Sequence, residues 1–226
     1  MHREALARRK KHWGHEHPAV ANSLHNLGSV LADQDKLAEA ESVYREALAS
    51  RRARLPAEDD RVLIYTATLA RLLAEWAWTE RSSKSELPNS EIAGRAREAE
   101  NLLRDCLAIR ERGKNLTSWR LADVKSRLGE ALVSVAVTDP ALDPAGRLAK
   151  IAEAEPLLLE SNDRLHQSKS VASKYKRDAI SRLVRLYEAW ETVMPGNGKA
   201  AQAVTWKEKM AEFDDGKAEK KPAATE

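Results

Sequence analysis

An internal repeat constrains this chain more than any other feature. Arg3-Glu4-Ala5-Leu6-Ala7 recurs identically as Arg45-Glu46-Ala47-Leu48-Ala49, a spacing of 42 residues. The surroundings recur too: Glu39-Ala40-Glu41-Ser42-Val43-Tyr44-Arg45 matches Glu98-Ala99-Glu100-Asn101-Leu102-Leu103-Arg104 and, more loosely, Glu153-Ala154-Glu155-Pro156-Leu157-Leu158-Leu159. Upstream of each lies a second apolar pattern: Leu24, Leu27, Leu31; Leu69, Leu73; Leu128, Leu132; and finally Leu183, Tyr187. A unit is therefore two amphipathic segments in fixed order. One such unit cannot bury its own apolar face, so successive units must stack into a shared core.

Both segments have helical spacing. Val20, Leu24, Leu27 and Leu31 follow steps of four, three and four, one face of a helix. Pro18 stands near the start, where a missing N–H costs little. Ala40, Val43, Tyr44, Ala47 and Leu48 form the facing stripe, and Gly28 and Ala40 are small where two helices approach. Asp33-Gln34-Asp35-Lys36 has the length of a connection between antiparallel helices. No segment alternates as a strand does, so the fold class is all-α.

Composition narrows the function classes. The 226 residues include one Cys, which excludes an internal disulfide framework and a Cys-rich zinc site and fits a reducing, cytoplasmic compartment. Thirty-eight Lys+Arg against 35 Asp+Glu leaves +3, without the concentrated basic face of a nucleic-acid binder. No stretch approaches the ~20 apolar residues of a membrane helix. The start, MHREALARRKKHW, lacks the apolar run of a secretory signal.

Leu24, Leu27-Gly28, Leu31, Ala40, Tyr44 and Ala47 resemble the large-and-small pattern of tetratricopeptide repeats. The 42-residue period, the string HPAVANSLHNLGSVLADQDKLAEAESVYREALA and the GHEHP linker are similar to the kinesin-light-chain subtype. RLVRLYEAW with KAAQAVTWKEKM resembles the closing repeat of bacterial arrays of that subtype. Such arrays often form the C-terminal part of planctomycete-type serine/threonine protein kinases. The resemblance spans roughly residues 3–212. It implies a right-handed superhelical solenoid of antiparallel helix pairs that binds a protein or peptide partner in its concave groove. The alternative it implies is a regulatory or docking arm of a kinase whose catalytic domain is absent here.

Traced along the chain, residues 1–17 hold a second helix without its first, plus a linker, and repeat 1 spans 18–54. Repeat 2 spans 55–116, with helices near 60–79 and 91–112 around the insertion TERSSKSELPNSE. Repeat 3 spans 117–168, with helices near 117–136 and 147–167 around TDPALDPAG. The capping repeat 4 spans 169–213, with helices near 170–192 and 198–213, and 214–226 has the composition of a disordered tail. An unpartnered apolar face on residues 3–12 points to a chain that begins inside a longer array, and to self-association through that face.

No catalytic constellation emerges, and no cofactor or metal is expected. His12, His15, His17 and His25 crowd the N-terminal region without zinc-hydrolase spacing and read as linker and cap residues. Cys106 stands where repeat 1 has Ala47, a small packing position. Trp13 and Trp78 are the indoles to watch for exposure. There is no GxxxxGK[ST], kinase Gly-rich loop, HRD or DFG sequence. Basic residues recur at helix ends: Arg8, Arg9, Lys10, Lys11; Arg51, Arg52; Arg110, Arg112, Lys114. Complementing the helix dipole, at about 0.3–1 kcal/mol each, explains them; lining an edge that attracts an acidic partner is the other reading.

In arrays of this kind the first helix of each unit lines the groove. The rows are then Asn22, Ile64, Asp123, Asp178; Asn26, Thr68, Arg127, Arg182; and Ser29, Arg71, Glu130, Arg185. Asn26 matches the family's groove asparagine, which hydrogen-bonds peptide backbone, and later units replace it. The candidate partner-binding residues are Asn22, Asn26, Ser29, Arg71, Arg127, Arg182 and Arg185. Arginine forks suit an acidic or carboxylate-ended ligand. The same arginines equally suit pairing with acids inside the array.

Overall fold

The computed structural model describes residues 2–82, 87–113 and 118–218. The described residues form nine α-helices and no strand: α1 (His2–Trp13), α2 (Pro18–Asp33), α3 (Leu37–Arg52), α4 (Asp60–Ser82), α5 (Asn89–Arg112), α6 (Trp119–Thr138), α7 (Pro144–Gln167), α8 (Ser173–Val193) and α9 (Ala200–Ala218). The chain divides into two compact units, Met1–Leu116 and Thr117–Glu226. The helix-pair architecture expected from the repeat is what each unit contains.

In the first unit, α1 packs on α2, and the pairs α2–α3 and α4–α5 join through α3 and α4. The four apolar positions of α2, Val20, Leu24, Leu27 and Leu31, are all buried, each worth about 1.5–3 kcal/mol on removal from water. Local chemistry fixes the ends of α2. His17 Nδ1 accepts the Ala19 N–H at 3.2 Å and Pro18 occupies the first turn, so His17 is a cap residue. At the far end Asp35 takes a left-handed φ of 61°, which Asp tolerates better than most residues. Gly28 is needed for packing: a Cβ there would stand 2.6 Å from Tyr44 Cε1.

In the second unit, α6 packs against both α7 and α8, and α9 against α8. Every residue of α6 from Leu121 to Ala136 except Lys125 is buried. Leu158 of α7 and Leu183 and Leu186 of α8 are fully buried. Gly129 permits the close approach, since its Cβ would meet Leu158 Cγ at 2.5 Å. In α9, by contrast, Ala203 is the buried hydrophobic residue and Val204 is 55% exposed.

Several helix ends differ from the sequence reading. Helix α7 starts at Pro144, ahead of 147, because Asp143 Oδ1 accepts the Gly146 N–H at 2.7 Å. Helix α5 starts at Asn89 and α4 runs to Ser82, so the insertion between them is shorter than expected. Helix α9 continues past 213 to Ala218, and Asp214 is gripped by Arg177 at 2.8 Å. Residues 83–86, Lys114 and the expected tail from 219 onward lie outside the described residues.

Candidate partner-binding site

The seven candidate residues divide between the units. In the first, α2 carries Asn22, Asn26 and Ser29, and α4 carries Arg71. Two contact sets join these helices. Asn22 Oδ1 accepts from the Tyr65 hydroxyl at 2.8 Å and also from the Arg51 guanidinium. Ser29 and Arg71 both bear on Tyr44: burial pushes its phenol above the ordinary value, and the Arg71 charge and the Ser29 hydrogen bond oppose that shift. Arg71 Nη1 also pairs with Glu75 at 2.9 Å. These two sets bracket Asn26 on α2 and Thr68 on α4.

Asn26 itself is exposed and has no hydrogen-bond partner among the described residues. Ile64 is 37% exposed, and Thr68 spends its hydroxyl on the Ile64 carbonyl at 2.9 Å. The face shared by α2 and α4 thus offers a free amide, an apolar contact and a half-buried guanidinium. The Asn22 row ran through Ile64 in the sequence reading, whereas the side chain that reaches Asn22 is Tyr65.

The second unit holds Arg127, Arg182 and Arg185, and their surroundings differ. Arg127 Nε donates to Asp123 at 2.9 Å. Arg182 Nε donates to Glu130 at 2.8 Å and its Nη1 to Ser126 at 3.1 Å, while Arg185 Nη1 takes the other Glu130 oxygen at 2.9 Å. Arg127 and Arg182 are only 8% and 5% exposed. The sequence reading placed them along an accessible groove; their burial takes them out of it, because acids on α6 satisfy them. Arg185 keeps partial exposure. The sequence reading left pairing with acids inside the array equally open, and Asp123 and Glu130 are the acids that pair.

The other flagged residues fall into structural places. His25 lies between Tyr44 and Tyr65, with ring centroids 5.5 and 4.6 Å away. Trp13 is 46% exposed and stacks on His17. Trp78 is half-buried beneath Arg81 at 4.3 Å. Cys106 is buried, its thiol 3.8 Å from the Leu63 carbonyl. Among the described residues no group of three or more His, Cys, Asp or Glu side chains is placed to hold a metal ion, and no helix is long and apolar enough to cross a membrane.

Comparisons with known proteins agree with the helix-pair geometry. Tetratricopeptide-repeat sequence profiles match residues 1–53 and 92–113. No curated protein matches the chain. Two crystal structures of a kinesin-light-chain candidate from Podosopora anserina, described as having nearly identical TPR-like repeats, are similar in fold. One, of a single-residue variant, has a TM-score of 0.58 at 19% identity, covering 96% of this chain and 85% of that one. The second has a TM-score of 0.56 at 19% identity, covering 97% and 86%. At that identity the likeness is one of fold.

Proposed function

Since this chain is built from tetratricopeptide repeats, we propose that it is a protein-interaction scaffold whose contact face lies on α2 and α4 of the first unit. The observation that carries the proposal is Asn26: an exposed amide with no partner among the described residues, held between two contact sets that fix the helices around it. A primary amide offers both donors and an acceptor, which matches the alternating N–H and C=O of an extended peptide. Because α2 and α4 are already packed, binding pays little ordering entropy on the scaffold side.

Partner chemistry follows from the neighbours of Asn26. Ile64 supplies an apolar contact, and Arg71 can exchange its partly exposed Glu75 partner for a ligand carboxylate. The ligand is therefore an extended peptide with an acidic side chain within reach of Arg71. Arg127 and Arg182 have no part in it, since freeing Arg127 would strip buried Asp123 of its pair and freeing Arg182 would break the buried contact with Glu130.

The test is binding of the full chain to an array of extended octapeptides, followed by Asn26→Ala and Arg71→Ala. Asn26→Ala should weaken every captured peptide, and Arg71→Ala only the acidic ones. Undiminished binding by Asn26→Ala would remove the assignment.

A further inference from the structure

Lys10 pairs with Glu46 at 2.6 Å, Arg51 binds Asn22 and Tyr65, and Arg110 pairs with Asp60 at 2.8 Å. These helix-end cations are used inside the fold. Arg52 and Arg112, by contrast, make no ion pair, hydrogen bond or ring contact with the described residues. Both line a single cavity of roughly 240 Å³, formed by the end of α3, the start of α4 and the end of α5.

The buried part of that lining is Val62, Leu63 and Cys106 with Thr66, whose hydroxyl donates to the Val62 carbonyl at 2.9 Å. Leu102 and Ile109, half-buried, continue the apolar lining outward. The Cys106 thiol is directed at the Leu63 carbonyl, so no lining side chain there needs a polar ligand atom. Arg52 and Arg112 are exposed and offer their donors to whatever occupies the cavity. Asp105 also lines it; two guanidiniums against one carboxylate leave one net positive charge. A guanidinium fork matches a carboxylate in shape as well as charge.

Size limits the occupant. The cavity is smaller than the roughly 300–1,000 Å³ of sites for drug-sized ligands, which leaves room for one aliphatic side chain. A peptide C-terminus carries its carboxylate and its last side chain on the same carbon. That spacing suits an apolar recess with cations at its rim. A fatty carboxylate puts its charge at the end of a tail too long for the space.

We propose that this cavity binds the C-terminus of a partner peptide ending in an aliphatic residue, with the side chain against Val62, Leu102 and Ile109 and the carboxylate held by Arg52 and Arg112. The site shares no residue with the α2–α4 face, so it stands apart from that reading.

The experiment is an NMR titration of the full chain with an acetylated tetrapeptide ending in leucine, as the free acid and as the C-terminal amide. The free acid should saturate and shift the Val62, Leu102 and Ile109 amides, and the amide should bind at least tenfold more weakly. Arg52→Ala combined with Arg112→Ala should weaken the free acid at least tenfold while leaving the melting temperature unchanged, because both side chains are exposed. Arg71→Ala should leave the titration as it was. Equal affinity for acid and amide overturns the proposal, as does failure of the free acid to bind. Octanoate binding more tightly than the peptide also overturns it, and makes a small fatty carboxylate the ligand.

Discussion

Glu130 on α6 and Arg182 on α8 meet as a buried ion pair, Oε2 to Nε at 2.8 Å, with side chains 7% and 5% exposed. The other Glu130 oxygen holds Arg185, and Ser126 takes a further Arg182 donor. Burial alone pushes the Arg182 guanidinium toward losing its proton; the charges of Glu130, Asp123 and Asp178 more than reverse this, so the net shift is upward. Each partner therefore needs the other.

That relationship sets the first prediction. Glu130→Ala leaves a buried guanidinium without its counter-charge and should cost about 3–5 kcal/mol. Replacing both, Glu130→Leu with Arg182→Met, should recover most of the loss, since apolar substitutes for a buried pair are often neutral or better. Urea denaturation midpoints of wild type, single and double variants check this. A single variant as stable as wild type would refute it.

The glycines at helix crossings give the second. Gly28→Ala drives a methyl into the Tyr44 ring and Gly129→Ala drives one into Leu158. Tyr44 is 2% exposed and Leu158 0%, so neither has space to retreat. Each substitution should destabilise by about 1–3 kcal/mol, read as a lowered thermal midpoint. Gly94→Ala, where the added methyl meets nothing within 4 Å, serves as the control and should be neutral or slightly stabilising.

Asp59 gives a pH-dependent prediction. Hydrogen bonds from the Arg61 side chain and backbone hold its carboxyl down at about 2. The folded value is depressed relative to the unfolded value of about 3.9. Its stabilising contribution is therefore present above that unfolded value and is lost as the pH falls through about 2. Carboxyl NMR titration should show Asp59 still ionised at pH 3, and Arg61→Ala should move it toward the ordinary carboxylate range.

Cys106 gives the last. Its thiol is 1% exposed and faces the Leu63 carbonyl. A disulfide reagent should label it slowly in the native chain and at least a hundredfold faster in denaturant. Fast native labelling would show that α4 and α5 separate readily.

The helices and their faces were legible in the sequence because they depend on local physics. The 3.6-residue period of Val20, Leu24, Leu27 and Leu31 placed one face of α2 inward, and Pro18 marked its start. Gly28 was read as a close-approach site, while Gly129, which follows Leu128 as Gly28 follows Leu27, was not singled out. Asp143 before Pro144 carried a start signal for α7 that was passed over. The extension of α9 was different, because Asp214 is secured by Arg177 on another helix.

The fate of the charged groove positions could not be read locally. The rows set Arg127 beside Arg182 and Glu130 beside Arg185, and Glu130 does meet Arg185. Only the packing of α6 on α8 lets one carboxylate reach both Arg182 and Arg185, and only burial turns that contact into an obligation. Asn26 has a similar position in the repeat, but no acid or donor among the described residues reaches it, and it stays open. The sequence by itself determined an all-α chain of helix pairs and which side of each helix is apolar, since period and small-residue spacing are properties of one helix. Tertiary structure decided which polar residues are used up and which remain available. That outcome depends on side chains more than forty residues apart meeting at hydrogen-bond distance.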